Sequence, residues 1–293
     1  MSSTLSNWIA ATRPKTLSAA ITPVAMGCAV AHSEGALRWK PALAALLGAL
    51  AVQIACNFAN DYFDGVQGTD TVDRLGPRRA VASGLISPQA MWRATWLVLA
   101  LVALPACVVL ISSGGWIFAP LGAVSVALAF AYSGGTYALS RTGLGEPFAF
   151  LFFGPIAVAA TVAGQTGEWS SIAALAGCAP GLLATALICV NNLRDEPTDR
   201  IAGRRTLAVR FGQAPMRALY IATLGGVVAI NMAGALMHDH RWSLLALAAP
   251  ALLLPSAWRI ARGSAGRALN RELVLTGFAL LLYGALFTAG WVA

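Results

Sequence analysis

The sequence predicts an all-α polytopic membrane protein, and three observations carry that class. Charged residues make up 11% of the 293 positions and hydrophobic ones 58%, with a mean hydropathy of +0.69. A water-soluble globular chain carries about 25% charge, so this chain lacks the charge to cover a solvated surface. Nine apolar runs are each long enough to cross a bilayer as a helix, at roughly 20 residues per span. The basic residues between those runs fall almost entirely on one side. Lipid offers no partner to a free backbone amide, so the spans are helices. The short alternating segments that mark a β-barrel are missing from the sequence.

In chain order the runs cover 16–32, 41–59, 89–111, 115–134, 147–164, 171–191, 214–236, 242–260 and 272–291. The first contains Ala29-Val30-Ala31, which resembles a signal-peptide cleavage site; the segment is kept as the first span. With the N-terminus in the cytoplasm, Arg13, Lys15, Arg74, Arg78, Arg79, Arg93, Arg141, Arg194, Arg200, Arg204, Arg205, Arg210, Arg217, Arg259, Arg262, Arg267 and Arg271 all face the cytoplasm. That is 17 of the 20 Lys and Arg residues; Arg38, Lys40 and Arg241 face outward. Such a split follows the positive-inside rule and supports the count of spans, since one missed span would scramble it. The net charge of +8 is mainly a topology signal. It also suits anionic lipid headgroups or an anionic substrate, and it gives no reason to invoke nucleic acid. The five cysteines are scattered and form no Cys-x-x-Cys, so they read as packing residues. Residues 1–293 form a single transmembrane domain, and the sequence sets no oligomeric state.

Two charged stretches interrupt the apolar pattern. The first, residues 57–79, holds four of the twelve acidic residues (Asp61, Asp64, Asp70 and Asp73) at the end of the second run. The second, residues 191–212, follows the sixth run. Both read D-R-x-x-x-R-R, at Asp73-Arg74 to Arg79 and at Asp199-Arg200 to Arg205. An even number of spans separates them, so both point the same way, as in an internal repeat. Asn57, Asp61 and Asp64 are spaced i, i+4, i+7; Asn191, Asp195 and Asp199 are spaced i, i+4, i+8. Each set lines one helix face. Facing a common cavity, the two stripes bring together at least four carboxylates, which need cations. Hard oxygen donors select Mg²⁺, Ca²⁺ or Mn²⁺ over zinc. With Arg74, Arg141, Arg194 or Arg200 beside them, the set suits a metal-bridged diphosphate at the edge of the apolar core. Asp70, Asp73 and Glu196 fit either as ligands or as partners of neighbouring arginines.

These residues resemble the UbiA superfamily of intramembrane aromatic prenyltransferases, and within it the 1,4-dihydroxy-2-naphthoate branch. The stretches that carry the resemblance are RPKTL at 13–17, NFANDYFDGVQGTDTVDRLGPRRAVASGLIS at 57–87, YSGGTYALSRTGLGEPF at 132–148 and VNNLRDEPTDRIAGRRTLAVRFG at 190–212. The resemblance implies nine transmembrane helices around a central cavity capped on the cytoplasmic side of the cell (inner) membrane. It implies Mg²⁺-dependent transfer of a polyprenyl group from its diphosphate to an aromatic acceptor. It implies Asp61, Asp64, Asp195 and Asp199 as metal and diphosphate ligands. Asn57, Asn60, Asn191 and Asn192 are their polar supports. Tyr132 and Arg141 belong to the loop that closes over the diphosphate, and Arg13 and Lys15 lie nearer the acceptor. This chain reads Thr136-Tyr137 where naphthoate enzymes commonly have proline and lysine, which leaves Arg141 as that loop's contact.

The expected reaction is prenylation of 1,4-dihydroxy-2-naphthoate with loss of its carboxyl group. An allylic cation needs a dry pocket, for which Tyr62, Phe63, Phe148, Phe152 and Phe153 are candidates, each equally suited to plain helix packing. The alternatives are another aromatic acceptor, such as 4-hydroxybenzoate or homogentisate, or an ion-coupled transporter. A transporter places its acids near the bilayer midplane, whereas here they sit at span ends.

Overall fold

The computed structural model describes residues 4–68, 79–135, 138–238 and 241–293. Asp70, Asp73, Arg74, Arg78, Thr136 and Tyr137 lie outside the described residues. The described chain is helical, with no strand. Ten helices are used below: α1 (Thr4–Ala11), α2 (Ser18–Ser33), α3 (Trp39–Val66), α4 (Pro88–Gly114), α5 (Phe118–Ala131), α6 (Gly145–Thr166), α7 (Ser171–Ile201), α8 (Gln213–His238), α9 (Ser243–Ala261) and α10 (Gly266–Val292).

Each of the nine apolar runs is helical. Seven helices (α3, α4 and α6–α10) are long and apolar enough to cross a membrane, or eight if the bent pair Thr4–Thr16 and Ser18–Ser33 makes one span. The fourth run yields only the 14 residues of α5. Gly115, at φ 95°, ends α4 inside that run and delays the next helix to Phe118.

Local chemistry explains the starts and breaks. Ser87 caps α4, accepting from the Ala90 amide at 3.3 Å, and Pro88 follows at the first position. Ser170 caps α7 in the same way through the Ala173 amide at 3.2 Å. Within α4, a π-helical stretch at Leu99–Ala103 precedes Pro105, which has no amide to donate. The 54° bend between α1 and α2 passes through Arg13, the one non-glycine residue with positive φ (52°) among the described residues.

The core sits among α2, α6, α7, α8 and α10. Met26, Val158, Val162, Leu183, Val190, Tyr220, Leu280 and Tyr283 are all buried there. Glycines allow the closest approach. A Cβ on Gly154 of α6 would meet the Gly181 Cα of α7 at 2.7 Å, and one on Gly177 would meet the Pro155 Cα at 2.7 Å. Small residues let helix backbones pack in this way where lipid removes the usual hydrophobic drive. Large apolar residues such as Leu97, Leu101 and Leu104 of α4 remain exposed, as a lipid-facing surface requires.

Candidate active site

The last turns of α3 bury Asn57, Asn60, Asp61 and Asp64, four polar residues in a helix that is otherwise apolar. Three of them hold the chain around the site. Asn57 Nδ2 donates to the Thr12 carbonyl at 2.9 Å, tying α3 to the α1–α2 bend. Asp61 accepts two backbone amides, Ala80 N at 3.0 Å and Val81 N at 2.9 Å. That grip holds the returning chain so that Arg79 reaches Asp64, Nη2 to Oδ2 at 2.6 Å. Arg141, from the turn Leu139–Thr142, reaches the other oxygen of Asp64 at 3.1 Å.

The second stripe arrives from α7. Arg204 stands between the two. Its Nη1 lies 3.2 Å from Asp199 Oδ1, and its Nη2 lies 3.7 Å from Asp64 Oδ1. The backbone follows the same path: the Arg205 amide donates to the Arg141 carbonyl at 2.7 Å, and Arg210 donates to the Thr142 carbonyl at 3.2 Å. Thus the two acid-tipped helices, whose Asp64 and Asp199 lie 135 positions apart in the sequence, share one cation. Two carboxylates (Asp64, Asp199) adjoin three guanidinium groups (Arg79, Arg141, Arg204), and Asp61 is held beside them by backbone amides.

Asp195 is held differently. Arg194 grips it through Nε and Nη2, both at 2.7 Å, and also donates to Asn191 at 2.7 Å and Asn270 at 3.0 Å. Arg194 is only 1% exposed. A buried guanidinium is tolerated when its donors are met by a carboxylate and amides. Asn192, on the neighbouring helix face, donates to Glu146 Oε1 at 2.7 Å. Asn60 Oδ1 is buried with no hydrogen-bond partner among the described residues.

Some expected residues are not drawn into the cluster. Arg200 pairs with Glu196 one helical turn back, at 2.6 Å, and its side chain is 59% exposed. The i, i+4 partner on its own helix outcompetes the more distant acids, so the exposed Arg200 covers the buried Glu196 carboxylate. Lys15 is exposed on the turn Pro14–Thr16. Tyr132 stays close: its hydroxyl oxygen lies 3.5 Å from where a Cβ on Gly145 would sit.

Four contributors escaped the sequence reading. Arg79 and Arg204 were visible only as members of the repeated R-R pair. Glu146 is a single acid at the start of an apolar run. Trp92 joins Tyr62 (4.8 Å between ring centroids), Phe63 (5.9 Å) and Phe130 (5.6 Å) in an aromatic cluster. Phe148 and Phe152 stack on each other at 6.2 Å, and Phe153 packs against the main core. Among the described residues no group of three or more His, Cys, Asp or Glu is arranged to hold a metal ion, because guanidinium groups stand between the acids.

The fold and this centre define a multi-pass, all-helical membrane protein with a buried, arginine-laced acidic site joining two helix ends. Residues 20–282 match the model of the UbiA prenyltransferase family. A 1,4-dihydroxy-2-naphthoate octaprenyltransferase from Mycobacterium tuberculosis is 40% identical over 286 residues, covering 98% of this chain and 96% of that one. Its counterpart of the same description from Escherichia coli is 34% identical over 291 residues, covering 97% and 94%. A UbiA homolog from Archaeoglobus fulgidus, solved bound to GPP and Mg²⁺, superposes with a TM-score of 0.66 at 17% identity, covering 98% of this chain and all of that one. The chain belongs to the UbiA prenyltransferase family.

Proposed function

We propose that this chain transfers a polyprenyl group from its diphosphate to 1,4-dihydroxy-2-naphthoate, with loss of the carboxyl group, as the prenylation step of menaquinone biosynthesis. The observation that carries this reading is the near-full-length match to naphthoate octaprenyltransferases at 34–40% identity. The site chemistry agrees with it. Three cations already balance three acids in the cluster, so a diphosphate arriving alone would leave it strongly anionic. A divalent cation entering with the substrate restores the balance. Mg²⁺ takes one or two protein carboxylates plus phosphate oxygens, and this hard-oxygen donor set fits that demand. Asp64 and Asp199, with Asp61 and Asp195 flanking, are the residues to hold it. When bound, Mg²⁺ stabilises the charge that develops on the leaving diphosphate.

The chain's own residues do the rest. Arg79, Arg141 and Arg204 pair with acids here and are free to fork onto phosphate oxygens once a metal takes those acids. Asp61 keeps the Arg79 turn in place through Ala80 and Val81. Arg194 fixes Asn191 and Asp195 from within the bundle. The wall of Tyr62, Phe63, Trp92 and Phe130 gives the prenyl chain an apolar surface from which water is excluded. The basic residues, 17 of 20 on one side, support a site opening to the cytoplasm from the cell (inner) membrane.

The test uses purified chain in nanodiscs with labelled prenyl diphosphate, Mg²⁺ and a panel of aromatic acceptors. Prenylation of dihydroxynaphthoate supports the reading. Turnover confined to 4-hydroxybenzoate or homogentisate moves the protein to another branch. Ion flux in sealed vesicles without prenyl transfer would make it a carrier.

A further inference from the structure

Glu146 is the anomaly of the interior. It is 3% exposed, yet no cation among the described residues pairs with it. Asp64, Asp195, Glu196, Asp199 and Glu272 each pair with an arginine, and Asp61 accepts two backbone amides from the turn it holds. Glu146 has the Asn192 amide on Oε1, with its own backbone amide beside the carboxylate. Oε2 is buried with no hydrogen-bond partner among the described residues. Leaving a carboxylate oxygen buried and unmet is costly, and such a cost persists where something else completes the bonding.

Position narrows what that is. Glu146 opens α6, next to Gly145, whose Cβ position lies 3.5 Å from the Tyr132 hydroxyl. Through Asn192 it is tied to the turn of α7 that also carries Asn191 and Asp195. Asn192 adjoins Asn191 in the chain, and the Tyr132 hydroxyl stands next to Gly145, so this carboxylate lies beside the diphosphate cluster without belonging to it. A negatively charged oxygen repels a diphosphate. It attracts a hydroxyl group, and a charge-assisted O–H···O⁻ bond is among the strongest available.

We propose that Glu146 positions the aromatic acceptor: a ring hydroxyl donates to Oε2, while Asn192 holds Oε1 and so fixes the carboxylate's direction. This rests on the reading above that the second substrate is a hydroxylated arene. It makes Glu146 a specificity residue that selects hydroxyl-bearing rings and sets which ring carbon faces the prenyl group.

The test compares the free dihydroxynaphthoate with each of its two mono-methyl ethers, in wild type and in Glu146→Gln. A hydrogen bond to a charged group is worth roughly tenfold to a hundredfold in binding. Wild type is expected to prefer the free acceptor over one ether by about tenfold or more in kcat/KM. In Glu146→Gln that preference is expected to shrink to about threefold or less, with KM for the prenyl diphosphate nearly unchanged. The ratio is taken within each variant, so the amount of folded protein cancels; Glu146→Asp serves as the milder change. A wild type indifferent to methylation, or a preference that survives the substitution, overturns the proposal. If wild type prenylates a different hydroxyarene, the naphthoate reading falls while Glu146 is judged by the same ratio on that acceptor. If it prenylates no hydroxyarene, both fall.

Discussion

Arg204 lies 3.2 Å from Asp199 and 3.7 Å from Asp64, so a single guanidinium joins the acidic ends of α7 and α3. It holds two like charges at close range that would otherwise push the helix ends apart. It also keeps a cationic fork where the diphosphate is proposed to arrive. Arg204→Ala is expected to lower kcat/KM by about 10²- to 10³-fold, the loss seen when one preorganised charge-stabilising donor is removed. Steady-state rates at saturating Mg²⁺ measure this, and a variant within threefold of wild type would remove Arg204 from the proposed machinery.

Asp61 is expected to couple stability with activity. Its two oxygens satisfy two backbone amides in a buried turn, and leaving such a group unmet costs about 1–3 kcal/mol. Asp61→Ala should therefore lower the thermal unfolding midpoint in detergent and also abolish turnover, because Arg79 loses its footing. Loss of turnover with an unchanged midpoint would mean that Asp61 acts on the substrate alone.

Chelation separates metal from fold. The acids are already paired with arginines and amides, so the bundle does not depend on a metal for charge balance. EDTA is expected to stop turnover without moving the unfolding midpoint, and added Mg²⁺ to restore it. A large drop in the midpoint on chelation would point to a structural ion.

Arg200→Ala is expected to leave activity within about twofold. Its partner Glu196 is one turn away and its side chain is largely solvated, a setting in which ion pairs are worth about 0–1 kcal/mol. A loss of tenfold or more in the same assay would return Arg200 to the substrate site.

Gly177→Ala should destabilise without touching chemistry. The new methyl group would sit 2.7 Å from the Pro155 Cα, and overpacking of this kind costs about 1–3 kcal/mol. Thermal unfolding should show the loss, while KM for both substrates stays near wild type.

The acidic stripes were legible in the sequence because helical spacing alone puts Asn57, Asp61 and Asp64 on one face, and Asn191, Asp195 and Asp199 on another. Charge poverty made the helical bundle equally plain. What the spacing does not contain is the direction in which each arginine turns. Arg200 matches Arg74 in the repeat, yet its own helix supplies Glu196 first. Arg204 sits beyond the helix end and reaches across to Asp64, a tertiary fact with no periodic signature. Glu146 shows only as one acid before an apolar run, and its significance depends on Asn192 meeting it from 46 residues away. The fourth run read as a full span because hydropathy averages over Gly114-Gly115, where the backbone turns and leaves the 14 residues of α5.

The Arg205 amide and the Arg141 carbonyl join the two polar loops through main-chain atoms alone. Side-chain exchange at either position leaves that seam intact, so the loops are bound to travel as a couple during any opening or closing. Chimeras that graft one of them from a relative should work poorly until its mate is transplanted too.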